Sequence, residues 1–186
     1  NYLNNQAFIN QITNLEITSL EGFFFPDSYD IPKYLKEEQI IRKFVERFNQ
    51  ATKQLFEENQ TNLTKYDIIK LASIIEKEAA VDTERAIISG VYHNRIKKGM
   101  KLEADPTILY TMNGYKNKLT YKDLEIKSDY NTYLYSGFPP TPICNPGLKS
   151  IEAALKPAKH NYLFFVSKGN GTHYFSKTIQ EHKRAI

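Results

Sequence analysis

Two acids two residues apart, Glu76 and Glu78, carry the chemistry this chain is best equipped for. The segment Leu71-Ala72-Ser73-Ile74-Ile75-Glu76-Lys77-Glu78 reads as the end of a helix. At about 100° per residue, Ile68, Leu71, Ala72, Ile74 and Ile75 gather on one side, with Ile69 the main exception. Glu78 falls inside that apolar arc, whereas Glu76 points away, toward the side where charges normally go. Burial disfavours the charged form of a carboxyl group, so Glu78 is expected to hold a proton near neutral pH. Such a group is suited to general acid catalysis. The bland alternative is a long side chain that crosses the apolar boundary and keeps its head in water.

Other chemistries find less support. The four histidines (His93, His160, His173, His182) show no paired-ligand spacing, so no metal site is expected. His173 alternates with Phe175 in a strand and is read first as a structural histidine. The single cysteine, Cys144, has no activating neighbour in sequence. No nucleophile elbow or phosphate-cradling glycine loop is present; Gly169-Asn170-Gly171 is turn chemistry. Carboxylates and aromatic rings remain, a combination suited to glycans. The chain has 13 tyrosines and no tryptophan. Tyr110, Tyr115, Tyr121, Tyr130, Tyr133 and Tyr135 cluster in its irregular middle, beside Asn113, Asn117 and Asn131. Flat rings with polar tips can stack on sugar faces, although each tyrosine taken singly is as well explained by a wet core.

These residues need elements to hold them. Residues 4–12 read as a short helix, 16–33 as an aromatic and proline-rich segment, and 35–58 as a longer helix. Leu35, Ile40, Ile41, Phe44, Val45, Phe48 and Leu55 form the buried stripe of that longer helix. Thr64 with Asp67 is a capping pair that starts the Glu78 helix. Asp82 is expected to cap the next helix, with Ile87, Ile88, Val91, Tyr92 and Ile96 facing inward and Gly99 ending it. Asp105-Pro106 opens a short helix through Tyr110, with Asp105 as its cap. The proline-rich stretch 138–147 cannot be a regular element, because proline lacks the backbone donor. Residues 148–155 read as a helix, 162–166 and 172–175 as a β-hairpin, and 178–185 as a last helix. The fold class is α+β, mainly helical, with a small antiparallel hairpin and long ordered loops.

At 186 residues, 41% hydrophobic and 25% charged, the chain has the composition of one ordinary globular domain. Its net charge of +4 suits an acidic polymer but is too modest and dispersed to point to nucleic acid. The sequence contains no run of about 18 apolar residues and no signal-peptide pattern.

Residues 20–29 (LEGFFFPDSY), 71–85 (LASIIEKEAAVDTER), 91–110 (VYHNRIKKGMKLEADPTILY), 130–147 (YNTYLYSGFPPTPICNPG) and 151–176 (IEAALKPAKHNYLFFVSKGNGTHYF) resemble the YceG-like family, that of endolytic murein transglycosylases. The resemblance covers nearly the whole chain, in the family's order. It implies a catalytic domain over 1–186, with residues 1–17 as the tail of a LysM-like subdomain. An N-terminal membrane anchor is expected outside this sequence, on a protein at the extracytoplasmic face of the bacterial membrane. It also implies cleavage of the β-1,4 bond between N-acetylmuramic acid and N-acetylglucosamine in peptidoglycan strands, leaving 1,6-anhydro ends and needing no cofactor. Glu78 corresponds to the family's essential acid. Position in the motif suggests Asn131, Thr132 and Tyr133 as stabilisers of the sugar cation, and Tyr110 as a substrate contact. Arg95 is either a further contact or the partner of Asp105 or Glu84, and the 139–147 loop is a candidate wall of the groove.

Two departures bear on this expectation. Glu103-Ala104 stand where the family often has glutamine and a small hydroxyl residue, which makes Glu103 a candidate second carboxylate and hydrolysis conceivable. Phe23 and Phe25 stand where tryptophans are common. Three other readings stay open: a glycan-binding module without activity, a hydrolytic muramidase and a pyridoxal-phosphate lyase. A scaffold role beside cell-wall synthesis proteins is compatible with catalysis.

Overall fold

The computed structural model describes residues 2–59, 61–112, 114 and 119–186. Helices dominate, and the described strands form one two-stranded antiparallel sheet. The helices are α1 (Gln6–Thr13), α2 (Glu37–Glu58), α3 (Lys65–Glu78), α4 (Asp82–Lys97), α5 (Asp105–Thr111), α6 (Leu148–Leu155) and α7 (Ile179–Ala185). Strands β1 (Phe164–Ser167) and β2 (His173–Ser176) pair in register from Phe164↔Ser176 to Ser167↔His173.

Helix α3 is the axis of the molecule, packed against α4, α5 and α6. Thr64 starts it by accepting a hydrogen bond from the Asp67 amide at 3.1 Å, the expected cap. Every residue from Ile68 to Ile75 except Lys70 is buried, so Ile69 is covered although it lies outside the apolar arc. Ile69 lies under Gly22: a Cβ on Gly22 would sit 2.8 Å from Ile69 and 2.7 Å from Pro142, and its φ of +90° also requires glycine.

Sequence-distant loops are tied to this axis by single polar side chains. Ser73 accepts from the Ile143 amide at 3.0 Å, and Asn145 accepts from the Gly22 and Phe24 amides at 2.9 and 3.1 Å. The 139–147 stretch is therefore ordered against the back of α3, and Phe23 packs on Phe48 at 5.1 Å. Cys144 is inert there, its thiol pushed up to about 12 chiefly by burial.

Glu76 does not point to open solvent as its helical angle suggested. Its carboxylate accepts from the Gly147 amide at 3.1 Å and the Ser150 hydroxyl at 2.6 Å, with Arg85 at 3.4 Å. It thereby anchors the start of α6. Asp82 is also not a cap. Val81 holds that position, and Asp82, the first residue of α4, pairs with Arg85 and Lys149.

The chain after α6 lies directly on α4. Ala158 donates to the Ala86 carbonyl at 2.9 Å, and His160 Nε2 is 2.9 Å from the Ile87 carbonyl. A Cβ on Gly90 would meet both the Ala158 carbonyl and His160 Nε2 at 2.5 Å. Gly90→Ala should therefore destabilise the fold by about 2 kcal/mol, although alanine is the better helix former. The expected fall in thermal midpoint is roughly 4–8 °C; an unchanged midpoint would mean that this contact is loose.

Candidate active site

Glu78 is the last residue of α3, and its carboxyl group enters a cavity of about 570 Å³, a volume suited to a sugar ligand. The cavity is lined by Glu78, Arg95, Leu102 and Glu103, by Asp105 and Tyr133, and by the hairpin and α7. The hairpin contributes Phe164, Phe165, Val166, Ser167 and His173, and α7 contributes Ile179 and His182.

The Tyr92 hydroxyl, presented by the buried face of α4, donates to Glu78 Oε1 at 2.8 Å. Tyr92 is 1% exposed and meets Phe165 edge-on at 5.9 Å, so its position is set by packing. Burial lifts the Glu78 pKa from 4.5 to about 7. The Tyr92 hydrogen bond and the Arg95 charge oppose this rise, and the Asp105 charge reinforces it. Tyr92 is itself held well above the ordinary phenol range, first by burial, and stays a donor. Glu78 keeps partial access to solvent through the cavity alongside this dense surrounding. An acid that is half protonated near neutrality and open on one side can both give and take a proton.

Arg95 is buried, and its partners differ from those expected. It pairs with Glu103 at 2.9 Å, not with Asp105 or Glu84, and donates to the Leu102 and Lys101 carbonyls at 2.8 and 3.2 Å. Its Nε donates to the Leu163 carbonyl at 2.7 Å, joining α4 to the approach of β1. Glu84 instead binds His173, whose Nδ1 lies 2.7 Å from Glu84 Oε2. His173 therefore has the expected structural partner and also lines the cavity. Glu103 has a φ of +50°, an unfavourable conformation for a side chain with a Cβ. The Arg95 pair and a 3.1 Å hydrogen bond from the Glu103 amide to the Thr132 carbonyl hold it there.

Asn131 and Thr132 act inside the loops rather than on the cavity wall. Asn131 donates to the Leu124 and Ile126 carbonyls and accepts from the Tyr133 and Leu134 amides. The Thr132 hydroxyl accepts from the Ala104 amide at 3.0 Å and lies 3.0 Å from the Thr107 hydroxyl. Together they present Tyr133, which does reach the cavity and donates its hydroxyl to Asp105 Oδ1. Asp105 is not the cap of α5. Ala104 occupies that position, and the Asp105 side chain is left for the cavity.

The tyrosines of the middle section do not form one groove. Tyr133 belongs to the Glu78 cavity. Tyr110 packs on Tyr130 with ring centroids 4.8 Å apart and lines a separate depression with Lys77, Leu109 and Ile143. Ile143 brings the 139–147 loop to that depression and not to the Glu78 cavity. Tyr121 and Tyr135 are exposed, while Tyr115, Asn113 and Asn117 lie outside the described residues. Sequence reasoning assigned no site role to Tyr92, Phe164, Ile179 or His182. A Tyr fourteen residues after Glu78 on an apolar helix face looks like any core residue; only the approach of α4 to α3 reveals its partner. Among the described residues, no group of three or more His, Cys, Asp or Glu could hold a metal ion. No helix among them is long and apolar enough to cross a membrane.

A mainly helical domain with an acid at the end of α3, facing a cavity lined in part by a β-hairpin, defines the class of protein. Comparison with known sequences and structures makes this more particular. The sequence model of the YceG-like family matches residues 1–186, and the chain belongs to that family. It is 41% identical over 168 residues to an endolytic murein transglycosylase of Bacillus subtilis, covering 89% of this chain and 47% of the relative. It is 29% identical over 174 residues to a protein of the same name from Streptococcus pneumoniae (strain D39), covering 90% and 32% respectively. The crystal structure of a yceG-like protein from Listeria monocytogenes superposes with a TM-score of 0.82 at 40% identity, covering 94% of this chain and 58% of that one. The chain thus spans about half or less of the length of these curated relatives.

Proposed function

We propose that this domain cleaves the β-1,4 linkage between N-acetylmuramic acid and N-acetylglucosamine inside peptidoglycan strands, without water as nucleophile. The observation that carries this reading is the Glu78 carboxyl group: cavity-facing, hydrogen-bonded by Tyr92 and protonated up to about pH 7. Protonated Glu78 gives its proton to the glycosidic oxygen as the bond to C1 breaks, and positive charge develops on the muramoyl ring. The resulting carboxylate takes the proton of the muramoyl C6 hydroxyl as that oxygen attacks C1. A 1,6-anhydro ring closes and the acid is regenerated. One residue thus serves as acid and then base, and the nucleophile belongs to the substrate, whereas hydrolytic glycosidases use a second carboxylate to activate water or attack the sugar. The Arg95 pair fixes the Glu103 carboxylate, which speaks against Glu103 as the base for water. In this reading Asn131 and Thr132 position the loops and Tyr133 faces the substrate. A site at the extracytoplasmic face of the bacterial membrane follows from such a substrate.

The test is the chemistry of the ends. Incubation of purified peptidoglycan with the 186-residue chain should release fragments ending in 1,6-anhydromuramic acid, read by mass spectrometry as one water lighter than reducing ends. Reducing muramic ends would overturn this reading in favour of hydrolysis. Binding with no cleavage would leave the domain a glycan-binding module.

A further inference from the structure

The Glu78 cavity holds a second carboxylate whose surroundings are opposite in kind. Glu78 is largely desolvated and accepts from Tyr92, whereas Asp105 is exposed, lines the same cavity and accepts from the Tyr133 hydroxyl. Several contacts fix where Asp105 stands. It follows Ala104, whose amide is held by Thr132, and Glu103, which is held by Arg95 and the Thr132 carbonyl. Thr107, two residues on, donates to the Ala104 carbonyl at 2.7 Å and tightens the same turn. Asp105 opens α5 without capping it, so its carboxylate has no backbone partner to satisfy. Arg95, which could have neutralised it, is occupied by Glu103 and backbone carbonyls. Two carboxyl groups in one cavity, one desolvated and one in a polar, solvated place, divide naturally into a proton donor and a fixed negative charge.

We propose that Asp105 is a second catalytic group: its carboxylate, oriented by the Tyr133 hydroxyl, balances the positive charge that builds on the sugar ring as the glycosidic bond breaks. This role rests on the transglycosylase reading above, in which that charge has no water nucleophile to relieve it. Asp105 forms no covalent bond and exchanges no proton. Its negative charge also acts on Glu78 and favours the protonated acid. The other titratable groups that face Glu78 are Tyr92 and Arg95 from α4, Glu103 and Tyr133 from the loops, and His173 and His182 from the hairpin and α7.

The experiment compares the 186-residue chain with its Asp105→Asn and Tyr133→Phe variants on purified peptidoglycan. The readouts are kcat, KM, the pH profile of kcat/KM, the product ends and the thermal midpoint. Asp105→Asn retains an acceptor for Tyr133 and should fold normally. It should lower kcat by about 100-fold, the order seen when a preorganised charge-stabilising group is lost, with KM near the wild-type value. Its alkaline limb should move to lower pH, a change that a merely structural role would not produce, and residual products should still carry anhydro ends. Tyr133→Phe should lower kcat by about tenfold, the order of one hydrogen bond to a charged group. Wild-type kcat in Asp105→Asn, or a loss of kcat with an unmoved alkaline limb, overturns the role of Asp105 while leaving Glu78 in place. Should Asp105→Asn fail to fold, Tyr133→Phe decides, and wild-type kcat in that variant overturns the proposal. Reducing ends from the wild-type chain would overturn the transglycosylase reading itself, and this role with it.

Discussion

Glu78→Gln is expected to reduce glycan cleavage by about a thousandfold, within the range lost when a positioned general acid is removed. The substitution is close to isosteric, and the glutamine carbonyl can still accept from the Tyr92 hydroxyl that now meets Glu78 Oε1 at 2.8 Å. What it cannot do is release a proton to the glycosidic oxygen or take one from the C6 hydroxyl. Binding of peptidoglycan should persist, because the other walls of the cavity are untouched. Assay of anhydro ends released per unit time, alongside pull-down on insoluble peptidoglycan, separates the two quantities. Undiminished cleavage would remove Glu78 from the mechanism.

The same variant should gain stability, and the gain should depend on pH. In the unfolded chain Glu78 titrates near 4.5, whereas in the fold it holds its proton to about 7. Between these values the folded state binds more protons than the unfolded state, so stability falls as pH rises through that window and does not return above it. At about 1.4 kcal/mol per pH unit, the fold gives up roughly 3–3.5 kcal/mol to keep this acid where it is. A glutamine in its place carries no such cost. Urea denaturation of wild type and Glu78→Gln should give nearly equal stabilities near pH 4 and a variant more stable by about 3–3.5 kcal/mol at pH 8. Parallel curves across that range would mean that Glu78 is not desolvated. Activity at the expense of stability is the expected signature of a catalytic group held in an unfavourable place.

Local patterns in the sequence were strong where one element decides the outcome. The Thr64 cap, the 148–155 helix and the hairpin all follow from neighbouring residues, and the structure has them within one or two positions. The burial of Glu78 was legible for the same reason, because seven buried residues of α3 report on the packing around one helix. Residues whose surroundings come from remote chain were misjudged. Ile69 looked out of place beside the apolar arc because the proline loop and Gly22 that cover it lie more than 40 residues away. Glu76 looked solvated because the start of α6, which it anchors, is about 70 residues downstream. Arg95 could have paired with any nearby acid, and its choice of Glu103 depends on how the loop after α4 folds back. Asp105 before a proline is a common helix opening, and only the approach of Tyr133 shows that its carboxylate is engaged elsewhere. The pattern is physical: periodicity reports the apolar arc of an element, and says nothing about remote chain that covers the rest of it.

The protonation state of Glu78 is the point on which catalysis, stability and the effect of Asp105 all converge. Its most direct test is a titration of the side-chain carboxyl carbon by NMR on the 13C-labelled chain, with Glu78→Gln used to assign the resonance. The midpoint should fall near 7, as the burial and neighbours of Glu78 require. A midpoint near 4.5, the ordinary value for a glutamate in water, would contradict the account at its base.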